Sequence, residues 1–380
     1  MARTPLIRHL SRSLNLARLA NRRRLPLDVA PEEIRATPAD WARVSRRHFL
    51  ITSGAAAAAL ACRKAETPIA RAEAPAAPLQ VAVIGAGIAG LTAAYRLSQA
   101  GVAARVFEGQ GGVGGRISTL RSAAAESQVA ELGGEFIDSG HEALLGLVSE
   151  LGLELEDYFA EPAELARDVW FFDGKRRSEA EVVRAFRPIA RRMDAAWESI
   201  SGESVTYDAP NGGEAIDRQS ISEWLEKAGA QGWFRRLLET AYTIEYGLEA
   251  DQQSAWNLLM LISTEPDPFR VFGDSDERYH VRGGNDQIPR RLAEKLGERI
   301  ETDSTLEAVT AATDGRYRLA IRRGNSSRTV VAERVILALP FTKLREVRLD
   351  LDLPEVKKKA IAELGYGTNA KLLTTFSERV

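Results

Sequence analysis

Gly85, Gly87 and Gly90 stand in the spacing G-x-G-x-x-G, and Glu108 follows 18 residues after the last of them. Such glycines permit a tight turn, let main-chain N–H groups approach a pyrophosphate, and allow a helix to pack closely on a strand. A carboxylate at the later position can accept hydrogen bonds from ribose hydroxyls. Three further features stand out by residue type: Gly114-Gly115-Arg116, Gly133-Gly134, and a lone lysine, Lys371, inside the apolar stretch TNAKLLTTF, where a strand lysine is ordinarily solvated. Arg116 offers a planar, permanently charged donor to phosphate, and reads equally well as a solvated arginine in a glycine loop.

The elements needed to position these residues are legible around them. Gln80 to Ile84 is an apolar, β-branched run, the pattern turns helical from Ala89, Gly101 stops it, and a second strand is expected over Ala103 to Phe107. Strand, tight turn, helix and strand together point to dinucleotide binding rather than to glycines that merely make a turn. From Leu151 to Glu277 the sequence is helical in tone, without an internal repeat. Tyr242, Tyr246, Trp256, Phe269 and Phe272 could wall an apolar pocket there, although aromatics at helical spacing are more often core residues. Gly283-Gly284 precede a helix expected over Ile288 to Leu296, RIETDSTLEAV and TVVAERVILALP read as strands, and TNAKLLTTF reads as a buried strand.

At EGQGGVGGRISTL, ELGGEFIDSGHEALLGLVSELGLEL and ERYHVRGGNDQIPRRLAEKL the chain resembles the flavin-containing amine oxidases, which include monoamine, polyamine and L-amino-acid oxidases. The resemblance runs from about Val81 to Val380. It implies an α/β fold: a Rossmann-type, glutathione-reductase-like FAD-binding domain with an inserted α+β substrate domain whose C-terminal part is missing. The implied boundaries are a leader over 1–78, FAD-binding segments over 79–150 and 278–343, and substrate segments over 151–277 and 344–380. It also implies FAD as cofactor, oxidation of an amine or L-amino acid to an imine, and reoxidation by O2 to hydrogen peroxide.

In site terms, the resemblance places Gly114, Gly115 and Arg116 against the pyrophosphate and flavin, Gly133 and Gly134 along the same ligand, the Leu306 main chain at the adenine, and Lys371 holding a water at flavin N5. One position departs from the pattern, for Gly112 stands where the family carries an arginine. Family members continue beyond the point matched by Val380, so the chain is expected to be a shortened form. A desaturase or protoporphyrinogen-type oxidase, and an inactive flavin-binding fragment, are the alternative readings. Lys371 argues against the first.

Composition bounds the rest. With 380 residues, 44% of them hydrophobic, and a formal net charge of −2, the chain can fill two cores and has no bulk electrostatic attraction for nucleic acid. One cysteine excludes an internal disulfide, and His9, His48, His141 and His280 lack ligand spacing, so no metal is expected. The opening segment is arginine-rich, and SRRHFLITSGAAAAALAC, with Arg46 and Arg47, resembles a bacterial twin-arginine signal followed by an apolar run of about 13 residues, too short to span a bilayer. That implies the twin-arginine export machinery as a partner and a periplasmic or exported protein. Ala59-Leu60-Ala61 offers a cleavage site, whereas Cys62 offers a lipid anchor. A buried alanine-rich helix and an ordinary thiol at Cys62 are the plainer readings of the same residues.

Overall fold

The computed structural model describes residues 79–121, 129–160, 168–201, 205–265 and 267–374. Arg46, Arg47 and Cys62 therefore lie outside the described residues. Among the described residues the central sheet has seven strands: β1 (Leu79–Ile84), β2 (Ala104–Phe107), β3 (Ile300–Glu301), β4 (Ser304–Ala311), β5 (Tyr317–Arg323), β6 (Ser326–Leu337) and β7 (Arg348–Asp350). Their spatial order is β7-β4-β5-β6-β1-β2-β3. β1 runs parallel to β6 and β2, and β2 parallel to β3, while β4, β5 and β6 form an antiparallel meander.

β1 is a continuous apolar run because it is covered on both faces, its last four residues being buried. The crossover from β1 to β2 is helix α1 (Ile88–Gln99), which buries Gly90, Leu91, Ala94 and Tyr95. Helix α2 (Gln287–Leu296) presents Ile288, Leu292 and Leu296 at four-residue spacing into the same cluster as Leu91, Ala94, Val81 and Val83. On the opposite face of the sheet, Ala82, Ile84 and Phe107 pack with Leu306, Val309, Leu319 and Ile321. The sheet therefore sits between two apolar layers, an arrangement that orients the C-terminal end of β1 toward the glycine turn.

A third cluster lies in the middle of the chain, between Val182 and Val271. It rests on two capping boxes that start helices Glu179–Glu198 and Ile221–Lys227: the Ser178 and Ser220 hydroxyls accept from the Glu181 and Glu223 amides, and the glutamates accept from the serine amides. This middle region also contains strands that helical periodicity does not show. Trp170–Phe172 pairs with Lys175–Arg177 in a hairpin turned by Asp173 and Gly174, and Leu155–Asp157 pairs with Tyr279–Val281 across a long stretch of sequence.

Two sequence-based strands differ from those observed. RIETDSTLEAV is two strands, since Thr302 and Asp303 interrupt it and Asp303 takes a positive φ of 55°. The described part of TNAKLLTTF is not a buried strand: residues 364–374 lack regular structure and Leu372 is 89% exposed. A strand forms only against a partner, and no described strand pairs with this one. Its main chain is instead tied to the middle region, the Thr368 amide donating to the Gly247 carbonyl at 2.9 Å.

Tyr242, Trp256 and Phe269 are buried members of the middle cluster, and Tyr246 and Phe272 pack against it. They form a core. Tyr242 is fully buried and its hydroxyl donates to the Val271 carbonyl at 2.9 Å, with the Leu258 carbonyl at 3.3 Å. Burial, reinforced by neighbouring Tyr246 and Glu245, pushes its phenol well above the ordinary range, so it stays a neutral donor. Tyr242→Phe should therefore destabilise the fold by about 1–2 kcal/mol, because it orphans a buried carbonyl, and urea unfolding measures the loss directly.

Candidate active site

The site is a set of main-chain crossings at the C-terminal end of β1. Strand β1 ends at Ile84, and the Gly85 amide donates to the Phe107 carbonyl at 2.8 Å, so the turn begins locked to β2. Gly85 has a φ of +102° and a Cβ there would stand 2.6 Å from the Ala338 carbonyl oxygen. Only glycine meets both conditions. A Cβ on Gly90 would overlap the Gly85 carbonyl oxygen, which is how closely α1 approaches the turn.

The second loop crosses the first directly. Gly87 and Gly114 form an isolated parallel bridge, the Gly114 amide donates to the Ala86 carbonyl at 2.9 Å, and a Cβ on Gly115 would lie 3.2 Å from the Gly87 Cα. Next to it, Arg116 is exposed, and no described residue gives its guanidinium a partner. Gly112 is exposed and faces open space. The third crossing is Gly133-Gly134: the Gly134 amide donates to the Arg116 carbonyl at 3.1 Å, and a Cβ on Gly133 would overlap that same oxygen.

Glu108 stands at the end of β2, where its Oε2 accepts from the Ala86 amide at 2.7 Å and its Oε1 from the Gln110 amide at 2.9 Å. Each oxygen keeps acceptor capacity for a ribose hydroxyl. Leu306 comes near through β4, since the Ser304 amide donates to the Glu108 carbonyl at 2.7 Å. The Leu306 side chain is buried in the sheet core, and the β4 register shifts between Leu306 and Ala308. Lys371 reaches the third crossing from the far end of the chain: its Nζ donates to the carbonyls of Glu131 at 3.1 Å and Gly133 at 3.0 Å, and to Glu135 Oε2 at 2.7 Å. Of the residues singled out from sequence, the structure brings Gly85, Gly87, Gly90, Glu108, Gly114, Gly115, Arg116, Gly133, Gly134 and Lys371 into one connected set.

Sequence reasoning missed the polar bracing beneath that set. Arg121 makes a two-point ion pair with Asp286, at 2.6 and 2.9 Å, and also donates to the Gly283 carbonyl at 2.8 Å, which pins the glycine turn ahead of α2. Thr119, Glu131, His280 and Asn285 form a neighbouring buried cluster. The only local hint is polar residues flanking each glycine pair, as in ELGGE and HVRGGND. His280 is thus a packed, paired residue. Among the described residues no group of side chains could hold a metal ion.

These residues fit a dinucleotide. α1 begins at Gly87 with no side-chain cap and no acid in its first turn, so the positive end of its dipole and its first amides are free for an anion. A dinucleotide-binding α/β protein is the class that this turn, acid and sheet define. The chain belongs to the flavin containing amine oxidoreductase family, which matches residues 88–380 and whose members use FAD. It is 22% identical over 318 residues to an L-amino-acid oxidase of Sistrurus catenatus edwardsii, covering 80% of this chain and 58% of the relative. To amine oxidase [flavin-containing] A of Canis lupus familiaris it is 27% identical over 310 residues, covering 78% and 56%. A putrescine oxidase solved with putrescine bound superposes with a TM-score of 0.62 at 23% identity, over 76% of this chain and 64% of that one, which shows the shared fold. The chain spans less than two thirds of the length of these relatives.

Burial by itself raises the pKa of Asp286, but the Arg121 hydrogen bonds, the charges of Arg121 and Arg290, and Thr119 together outweigh it and hold the carboxyl below its ordinary value. A carboxyl depressed in the folded state contributes stability above its unfolded pKa and loses it as pH falls through the folded value. Asp286→Asn should therefore destabilise at neutral pH and flatten the loss of stability below about pH 4, as read from thermal midpoints across an acid series.

Proposed function

We propose that the protein is an FAD-dependent oxidase of an amine or L-amino acid. In this reading Gly85, Gly87 and Gly90 receive the pyrophosphate at the start of α1, and Glu108 accepts from the adenosine ribose. The Leu306 main chain lies toward the adenine, Gly114, Gly115 and Arg116 flank the phosphates and ring, and Gly133 and Gly134 continue along the same ligand. Lys371 orients a water over the ring. Residues 79–150 and 278–343 serve the cofactor, and residues 151–277 and 344–380 the substrate. The observation that carries the reading is Lys371: from the far end of the sequence its ammonium rests on the Glu131 and Gly133 carbonyls, next to the loop that carries Arg116.

FAD, which Gly85, Gly87, Gly90, Glu108 and Arg116 would hold, would supply a two-electron acceptor for a hydride or its equivalent from the α-carbon of a neutral amine; the iminium left behind would shed its N–H proton as the imine that water hydrolyses, and dioxygen, taking the two electrons with the hydride-derived proton and that shed proton, would leave as hydrogen peroxide. The protein's part is to exclude bulk water, to place a permanent cation at the phosphates through Arg116, and to hold a water through the N–H groups of Lys371. The leader reading joins this as a proposal: Arg46 and Arg47 direct export of the folded, cofactor-loaded protein through the twin-arginine machinery, with processing before Cys62 or lipid attachment at it.

The decisive experiment is titration of FAD into the full chain, followed by an amine and an L-amino-acid panel with peroxide detection. Saturable quenching of flavin fluorescence, bleaching of the visible band by a substrate and stoichiometric peroxide are expected. Flavin binding with no bleaching by any substrate would favour an inactive flavin-binding fragment. Lys371→Met should keep FAD binding and lower kcat by about a hundredfold, measured by stopped-flow bleaching. Replacing Arg46 and Arg47 together by lysine should retain the protein in the cytoplasm of a bacterial host, which cell fractionation reads.

A further inference from the structure

Glu131 sits at the end of a short strand, Val129–Glu131, that pairs with Thr119–Arg121. Its carboxylate is 2% exposed and accepts from three donors. These are His280 Nε2 at 2.9 Å, the Asn285 amide at 2.8 Å, and the Thr119 hydroxyl at 2.9 and 3.0 Å. A buried carboxylate so held cannot move without leaving its charge or its donors unsolvated. The same residue's main-chain carbonyl accepts from Lys371 at 3.1 Å. Asn285 extends the anchorage along the segment, its Nδ2 donating to the Gly134 carbonyl at 3.1 Å and the Glu135 carbonyl at 2.6 Å, while its Oδ1 accepts from the Val281 amide at 2.9 Å.

We propose that Glu131 is a positioning residue: its buried carboxylate, gripped by His280, Asn285 and Thr119, fixes the main-chain carbonyls of Glu131 and Gly133 on which the Lys371 ammonium rests. The grip spans three separate parts of the chain, so it sets the height of the Gly133-Gly134 crossing and of Lys371 together. His280 contributes direction as well as a bond, since its ring is stacked on Tyr158 at 6.3 Å and cannot swing freely. The catalytic consequence of this placement rests on the amine oxidase reading. The placement itself does not.

The test therefore reads Lys371 directly, in the full chain without added flavin. Lysines are acylated with N-hydroxysuccinimidyl acetate and rates are taken by peptide mass spectrometry, with exposed Lys343 as internal reference. Thr119→Val removes the donor to Glu131, together with the acceptor of the Asp286 amide at 3.1 Å, at nearly constant shape; Thr119→Ser keeps both, and Glu131→Gln removes the charge alone. Leu292→Ala, in the core between α1 and α2, is a control for general loosening. The expected result is a rise of about threefold or more in the Lys371-to-Lys343 rate ratio for Thr119→Val and Glu131→Gln, a near-native ratio for Thr119→Ser, and no rise for Leu292→Ala. An unchanged ratio in both Thr119→Val and Glu131→Gln, or an equal rise in Leu292→Ala, overturns the proposal. Should Glu131→Gln fail to fold, the Thr119→Val and Thr119→Ser pair decides alone. Absence of flavin binding or of amine oxidation would sink the functional reading and leave this result standing.

Discussion

Around the turn that follows β1, three glycines bring the main chain against itself, and those contacts set the geometry of the site. Gly90 lies on the Gly85 carbonyl, Gly115 on Gly87, and Gly133 on the Arg116 carbonyl. A single methyl group at Gly90 or Gly133 would occupy the same space as a carbonyl oxygen, an overlap that small shifts cannot relieve. Such contacts leave peptide groups, rather than side chains, facing the free first turn of α1. A diphosphate needs that surface, since backbone amides and a helix dipole can approach its oxygens more closely than any side chain standing between them.

Glycine contacts alone would be loose, because glycine has the most conformational freedom to lose on folding. Two polar clusters, each built on a buried carboxylate, supply the missing stiffness. Arg121 and Asp286 hold the turn at Gly283, and Glu131 with His280, Asn285 and Thr119 holds the segment that follows Glu131. Desolvating the Asp286 and Glu131 carboxylates is costly, so the value of these pairings lies less in net stability than in the penalty for any arrangement that separates the buried charges from their partners. Glu301 plays a comparable part at the sheet edge, where it is paired with Arg328 at 2.6 Å and Arg105 at 3.2 Å and stabilises the short strand β3 beside β2.

The β1-turn-α1-β2 unit and Glu108 were legible because each depends on local pattern: an apolar strand, glycines at fixed spacing, a 3.6-residue stripe, and an acid at a strand end. Lys371 was legible only through family resemblance, and its conformation was not. A β-branched apolar run reads as a strand from sequence, but a strand is a relation between two segments, and no described strand pairs with the described part of TNAKLLTTF. The hairpin at Trp170–Arg177 was hidden for the opposite reason, being two three-residue strands too short to show alternation against a helical background. The Glu131 cluster was illegible, since two of its three partners, His280 and Asn285, lie 149 and 154 residues away in sequence and no local period announces them.

An ammonium has three N–H donors, and in Lys371 all three are taken. Holding a water, as the proposed function requires, means giving up one of them. The three partners are unequal. The Glu131 and Gly133 carbonyls belong to the braced crossing, whereas the Glu135 side chain is 40% exposed. A solvent-exposed ion pair is worth at most about 1 kcal/mol, because water replaces each partner as it leaves. Exchange at Glu135 therefore costs least: its carboxylate can rotate into solvent while the two carbonyl bonds persist, and the third N–H turns to the water without moving the lysine stem. The crossing then does the positioning and Glu135 does the yielding, a division of roles that follows from burial alone.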